Sequence, residues 1–202
     1  MLLAIDPGMN SPGVALFVPS TPGQMLRHAA RIAVPAGFKD LPDGARWLHV
    51  AHLIAQWANE KGRVKTVVFE KPQWYAREKS KGDPNQLVGV AGVAANVTGI
   101  LSVCESLEVL SPTPAEWIGQ VPKICQVCKG KAKKKCKVCE GSAWKTPRGV
   151  RIRSRLAPDE IALVPDQNDA IDAVGLGLFA LGRLQRHSVF SNGRDADYLE
   201  QR

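Results

Sequence analysis

The sequence predicts an α/β domain in which helices flank a mixed β-sheet. Three apolar strand patterns separated by turns come first, at residues 2–6, 13–18 and about 25–34. Helical and strand patterns then alternate along most of the remaining chain. The 202 residues, 45% of them hydrophobic, suit one domain of ordinary size that buries its own core.

The first two strands are predicted to form a hairpin. The apolar residues 2–5 end in Asp6, Pro-Gly and Ser-Pro-Gly turns follow, and a second apolar run begins at Val14. The third segment, "MLRHAARIAV", fits a strand or a helix. A helix is predicted at 44–61, before Gly62, from apolar residues at helical spacing: Trp47, Val50, Ala51, Ile54, Trp57 and Ala58.

Strands and helices alternate in the second half of the predicted domain. "KTVVFE" reads as a short buried strand, and "LEVL" as a later one. Between them, Gln86–Cys104 is apolar and rich in small residues, which predicts a helix that approaches its neighbours closely. "PAEWIGQ", "TPRGVRIRSRL" and "DQNDAIDAVGLGLFALGRL" are predicted helices, the second beginning at Thr146 and Pro147, and 187–202 a poorly ordered tail.

The net charge of +8 is unevenly distributed. Residues 121–155 contain 12 Lys or Arg and a single acid, Glu140, whereas the rest of the chain is slightly acidic. A basic block on a near-neutral domain indicates a polyanionic partner, most often nucleic acid. The alternative is a solvated lysine-rich loop.

No charged start leads into an apolar signal segment, and no apolar run approaches the roughly 20 residues that a membrane span needs. We therefore expect a cytoplasmic protein with no membrane partner.

Four acids occupy positions that suggest a metal site. Asp6 and Glu70 each end a predicted strand, and a buried carboxylate needs a positive partner. Asp169 and Asp172 lie three residues apart on the final helix, near one face. The alternative is that Asp166 caps this helix and Asp169 only complements its dipole.

Carboxylates gathered in one pocket repel one another unless divalent cations neutralise them. Two magnesium ions roughly 4 Å apart, with Mn²⁺ as a substitute, would activate a water and stabilise the leaving oxygen in phosphodiester hydrolysis. The predicted catalytic metal ligands are Asp6, Glu70, Asp169 and Asp172.

The motifs "LLAIDPG", "VVFEKP" and "NDAIDAVGLGL" together resemble, in order and spacing, the three acidic motifs of RuvC-type Holliday junction resolvases. The resemblance extends from residue 2 to about residue 184. It implies a ribonuclease H-like fold and a homodimeric, magnesium-dependent crossover junction endodeoxyribonuclease of DNA recombination and repair. Such an enzyme makes paired nicks in four-way DNA junctions.

The resemblance also assigns roles to two segments. It implies that Gln86–Cys104 helps to form the dimer interface, although a tightly packed core helix fits equally well. It implies that Trp74 or Tyr75 inserts at the junction centre, whereas Trp74 could instead pack over apolar surface. The basic residues that follow would contact phosphates: Arg77, Lys79 and Lys81.

One position departs from the family. Ile118 and Gly119 stand where a lysine is expected near the end of the short helix, and Lys123 or Lys145 are candidate substitutes. The nuclease assignment is therefore firmer than the assignment to four-way junctions.

A cysteine block interrupts the predicted domain. Two Cys-x-x-Cys pairs separated by seven residues can close tetrahedrally around one structural zinc ion: Cys125, Cys128, Cys136 and Cys139. Two disulfides are the alternative, which the absence of a secretion signal disfavours, and a thiol redox pair is weaker still. Cys104, in an apolar helix, is assigned no role.

Zinc would hold the basic block rigidly as a clamp on the DNA backbone. The predicted contacts in and after the block are Lys133, Lys134, Lys135, Arg148 and Arg151. The predicted organisation is a nuclease domain at 1–120 and 145–186, a zinc-binding insertion at 121–144 and a tail at 187–202.

Three other functions compete with this interpretation. An actin-like or sugar-kinase-like ATPase shares the "AIDPG" pattern but needs a longer chain. A non-catalytic zinc-containing nucleic-acid-binding or chaperone-binding protein leaves the four acids unexplained. A nuclease for fork, flap or other branched DNA fits the same residues.

The zinc prediction has a direct test. Purified protein should contain one zinc per chain, and Cys125→Ser should lower that content because it removes one of four thiolate ligands. Metal analysis of both proteins measures the difference. Equal zinc content in the two, or none in either, would contradict the predicted site.

Overall fold

The computed structural model describes residues 1–20, 23–72, 84–103, 106–118, 149, 152–153 and 155–184. Five strands lie in these ranges: β1 (Leu2–Asp6), β2 (Gly13–Pro19), β3 (Gln24–Arg31), β4 (Thr66–Phe69) and β5 (Glu108–Leu110). The helices are α1 (Asp43–Asn59), α2 (Pro84–Ser102), α3 (Pro114–Trp117), α4 (Pro158–Ile161) and α5 (Asn168–Ala180), with a 3-10 helix at Ala36–Asp40.

The strands form one mixed sheet in the order β3-β2-β1-β4-β5. The first three pair antiparallel, and β4 and β5 add to β1 in parallel. The predicted mixed sheet is confirmed, and the ambiguous third segment is a strand. It adopts this structure because its backbone completes the ladder beside β2, with Arg31 opposite Gly13.

Both faces of the sheet are buried, and they carry alternate residues of each strand. On one face, Leu3 and Ile5 of β1 pack in a cluster with α1 and α2. On the other, Leu2 and Ala4 pack in a cluster with α5. The central strands are therefore apolar at successive positions, as expected of a sheet covered on both sides.

Helix α1 confirms the helical spacing seen in the sequence. It buries Val50, Ala51, Ile54, Ala55 and Ala58. It ends at Asn59, two residues before the predicted end. Gly62 has a φ of +133°, a conformation that favours glycine and allows the chain to turn into β4.

Helix α2 approaches its neighbours as closely as its small residues predict. A Cβ on Gly89 would overlap the sulfur of Met9, and one on Gly92 would overlap the ring of Trp47. Larger residues at these two positions would push α2 away from α1 and from the loop that joins β1 and β2. The helix begins at Pro84 and ends at Ser102, close to the predicted bounds.

Helix α5 lies against the sheet through glycine as well. A Cβ on Gly177 would overlap the ring of Phe17, and one on Gly175 would lie 2.7 Å from Ile152 and 2.8 Å from Trp117. The alternative in which Asp166 caps this helix is wrong. Gln167 occupies the cap position, and the Asp166 carboxylate, 98% exposed, accepts a 2.8 Å hydrogen bond from Arg153.

The short helix α4 was not predicted, and it carries a buried ion pair. The Glu160 side chain is 1% exposed and accepts hydrogen bonds from Arg183 at 2.6 and 2.8 Å. The backbone N–H groups of Leu26 and Ala157 also donate to it, at 2.7 and 2.8 Å. Glu160 therefore links β3, α4 and the segment just after α5.

Several sequence predictions lie outside the described residues. These are the zinc-binding insertion at 121–144, the tail at 187–202 and most of the helix predicted in "TPRGVRIRSRL". Of that last segment, Gly149, Ile152 and Arg153 are helical. Within the described ranges, no helix is both long enough and apolar enough to span a membrane.

The ion pair predicts a pH-dependent stability. Burial by itself would raise the pKa of Glu160, but the hydrogen bonds from Arg183, Ala157 and Leu26 outweigh it and lower the pKa from 4.5 to about 2. A carboxyl group whose pKa is lower in the folded state than in the unfolded state stabilises the folded protein. This stabilisation is complete above pH 4.5 and is lost as the pH falls towards 2.

We expect Glu160→Gln to lower the free energy of unfolding by about 3 kcal/mol at neutral pH, because it leaves Arg183 without its carboxylate. The difference should shrink as the pH falls from 4.5 towards 2. Denaturant unfolding at several pH values measures it. Asp159→Asn, on the exposed neighbour, is the control, and a pH-independent difference for Glu160→Gln would contradict the prediction.

Candidate active site

The parallel pairing of β1 with β4 brings two of the predicted acids together. Ile5 lies opposite Phe69, so Asp6 at the end of β1 and Glu70 just after β4 occupy neighbouring positions at the carboxyl edge of the sheet. Asp6 is two residues beyond Ala4 and Glu70 two residues beyond Val68, both in the cluster on the α5 face. Strand alternation therefore directs both carboxylates towards α5.

The first turn of α5 brings the other two acids to the same edge. Gly13 pairs with Asp6, and a Cβ on Gly13 would overlap the backbone carbonyl of Asp169. The first turn of α5 therefore lies directly over Gly13, the residue that pairs with Asp6. Asp172 follows one turn later and is half-buried. The four predicted metal ligands accordingly lie at one end of the sheet.

Asp169 is held by two side chains that the sequence did not single out. Its Oδ2 accepts a 3.1 Å hydrogen bond from Ser11, in the loop between β1 and β2. The same oxygen lies 3.4 Å from Nε of Arg31, the last residue of β3. Asp169 therefore links α5 to the loop between β1 and β2 and to the end of β3.

Glu70 is held from the opposite side by Trp117. The indole Nε1 donates a 2.6 Å hydrogen bond to Oε2 of Glu70. Trp117 is buried at the end of α3, whose first turn is fixed by a capping box in which Thr113 and Glu116 bond each other's backbone N–H. The short helix therefore orients one carboxylate of the site.

The donor set fits divalent magnesium, which prefers carboxylate oxygen. Within the described residues, however, no three His, Cys, Asp or Glu side chains are grouped closely enough to hold a metal ion as they stand. Glu70 faces Trp117, and Asp169 faces Ser11 and Arg31. One oxygen of each of these two carboxylates is therefore engaged by a protein partner.

Sequence reasoning missed Ser11, Gly13, Arg31 and Trp117. Ser11 and Gly13 stood in a recognised turn region, but their contact with α5 depends on how a helix more than 150 residues later packs. Arg31 could be found only from the register of β3, and Trp117 only from its contact with Glu70.

The remaining predicted site residues lie outside the described part of the chain, and their roles stay predictions. They are Trp74, Tyr75, Arg77, Lys79, Lys81, Cys125, Cys128, Lys133, Lys134, Lys135, Cys136, Cys139, Arg148 and Arg151.

The contact between Gly13 and α5 can be tested by adding one methyl group. We expect Gly13→Ala to lower the free energy of unfolding by about 1–3 kcal/mol, because the new Cβ must displace the Asp169 carbonyl. Gly44→Ala is the matched control, since its Cβ would meet nothing within 4 Å and alanine favours the helix. Denaturant unfolding should separate the two, and equal effects would contradict the close contact.

Comparison with known proteins identifies the fold. No protein-family model matches the chain, and no curated protein sequence does. Thermus thermophilus RuvC is similar in structure, with a TM-score of 0.52 at 15% identity over 88% of this chain and 91% of RuvC. The yeast mitochondrial Holliday junction resolvase Ydc2 gives a TM-score of 0.50 at 10% identity over 91% of this chain and 81% of Ydc2. The chain therefore has the ribonuclease H-like α/β fold that the sequence predicted.

Proposed function

We propose that the protein is a metal-dependent endonuclease that resolves four-way DNA junctions by paired nicks. The observation that carries this proposal is the meeting of Asp6, Glu70 and the first turns of α5 at one end of the sheet. Two structurally similar proteins are RuvC and a resolvase, which supports a junction substrate by analogy of fold.

The proposed ligands of two Mg²⁺ ions, or of Mn²⁺ in their place, are Asp6, Glu70, Asp169 and Asp172. When bound, such a pair of ions supplies an activated water and stabilises the leaving oxygen. The chain itself contributes fixed backbone positions for the carboxylates at the strand ends and on the helix. Trp117 orients Glu70, and Ser11 orients Asp169, through the hydrogen bonds described above.

Paired nicks need two active sites, and we propose that a homodimer supplies them through α2. This helix buries Val93, Ala94 and Val97 against its own domain. It also exposes Val88 by 55% and, just after its end, Val103 by 80%. Further exposed small residues lie between these two, Ala91, Ala95 and Gly99. An apolar helix surface of this kind favours a second copy of the chain over water.

We propose that the basic cysteine-rich segment binds one structural zinc ion. Held in shape by this ion, the segment would clamp the DNA backbone. The support is the four-cysteine spacing and the 12 basic residues between 121 and 155. Trp74 or Tyr75 would stack at the branch point, next to the basic residues that follow them. The proposed cytoplasmic location rests on sequence composition alone.

The acids predict the outcome of cleavage assays. We expect Asp6→Asn, Glu70→Gln, Asp169→Asn and Asp172→Asn each to reduce cleavage of a labelled four-way junction by roughly 100-fold or more, since each removes charge that binds the metal ions. Junction binding measured in Ca²⁺ should change little, because each change removes a charge that binds the metal ions rather than one of the proposed DNA-contacting residues. Asp166→Asn is the matched control, three residues before Asp169 and exposed to solvent.

Three substrates and three metal conditions make the test decisive. Four-way, fork and linear duplex DNA are compared in Mg²⁺, in Ca²⁺ and without divalent metal. Cleavage of the four-way junction in Mg²⁺ alone supports the proposal. Preference for the fork would assign the nuclease another branched substrate, and near-normal cutting by Asp6→Asn would exclude the two-metal mechanism.

A further inference from the structure

One cation belongs to the same edge of the sheet as the four acids. Arg31 pairs with Gly13, Gly13 pairs with Asp6, and Asp6 lies beside Glu70. These positions therefore form one row across β3, β2 and β1, continued by the residue just after β4. Neighbouring strands are about 4.8 Å apart, which places the Arg31 backbone roughly 10 Å from that of Asp6. The arginine side chain is long enough to act within the site.

The contact between Arg31 and Asp169 is not a buried structural pair. The Arg31 side chain is 49% exposed and that of Asp169 is 37% exposed, with 3.4 Å between Nε and Oδ2. Exposed ion pairs add little to stability and exchange partners readily. Asp169 also keeps the hydrogen bond from Ser11, so the helix retains an anchor to the β1–β2 loop when Arg31 leaves.

Metal binding at Asp169 would weaken the attraction between Arg31 and Asp169. A divalent cation held by Asp169 competes with the guanidinium for the same oxygen and repels it. Arg31 would then need another anion at the same edge of the sheet. A DNA phosphate fits that requirement, because guanidinium groups bind phosphate oxygens with two parallel hydrogen bonds.

We propose that Arg31 is a phosphate-contacting residue of this site, held on Asp169 in the metal-free protein and transferred to the DNA backbone when Asp169 binds metal. The inference rests on the proposed nuclease function. It adds an arginine to a site for which the sequence suggested only the four acids and basic residues elsewhere in the chain. A purely structural role, in which Arg31 only fastens β3 to α5, is the competing explanation.

The test compares Arg31→Ala and Arg31→Lys with Arg27→Ala, which removes an exposed arginine four residues earlier on the same strand. Affinity for a linear duplex and for a four-way junction is measured in Ca²⁺ over a series of salt concentrations. Mn²⁺ affinity is measured by calorimetry without DNA. Thermal unfolding of each variant reports whether the fold is retained.

We expect Arg31→Ala to weaken binding of both DNAs about 5- to 10-fold and to reduce the log-log salt slope by roughly 0.9, the value for one phosphate contact on duplex DNA. Its Mn²⁺ affinity should rise several-fold, because Asp169 loses a competing cation. Arg31→Lys should keep the salt slope, since it keeps the charge, but bind more weakly because lysine lacks the two-pronged geometry. Arg27→Ala should match the unaltered protein.

A lower unfolding temperature for Arg31→Ala with DNA affinity and salt slope unchanged would overturn the proposal in favour of the structural role. An equal change of slope in Arg27→Ala would also overturn it, as an effect of general surface charge. The binding measurements need no cleavage. If no DNA is cut, the proposed function fails, while a lost phosphate contact in Arg31→Ala still identifies Arg31 as a DNA-binding residue.

Discussion

The close approach of α5 to the sheet is the constraint on which the rest of the structure depends. Two glycines permit it, Gly13 beneath the Asp169 carbonyl and Gly177 against the ring of Phe17. A side chain at either position would lift the helix from the strands. The same contact that completes the apolar core therefore also places the first turn of α5 over the end of β1 and the start of β2. The close approach of α5 is therefore needed both for packing the core and for the geometry of the candidate site.

The carboxylates at this edge are accommodated by specific polar partners. Glu70 accepts a hydrogen bond from Trp117, and Asp169 one from Ser11 together with the ion pair from Arg31. Such partners offset the mutual repulsion of acids that lie near one another. They also indicate what a bound metal ion would change, because an ion on Asp169 would compete with Arg31 for the same carboxylate oxygen.

The buried ion pair and the candidate active site lie at different parts of the domain. In the Glu160–Arg183 pair, the Glu160 carboxylate is buried. The pair joins β3, α4 and the segment just after α5. The Arg31–Asp169 pair is partly exposed to solvent. The first pair lies at the end of the helix away from Asp169.

The sequence by itself determined the α/β class, the mixed sheet, most element boundaries and the positions of the four acids, because these follow from local periodicity, turn residues and the ends of apolar runs. It also supported the resemblance whose fold the comparison with RuvC confirmed. Only the tertiary structure decided the partners of those acids. Ser11, Arg31 and Trp117 reach Asp169 and Glu70 through strand register and helix packing, which join residues 47 to 158 positions apart along the chain. No local pattern records such contacts, since each depends on where the whole sheet places two distant segments.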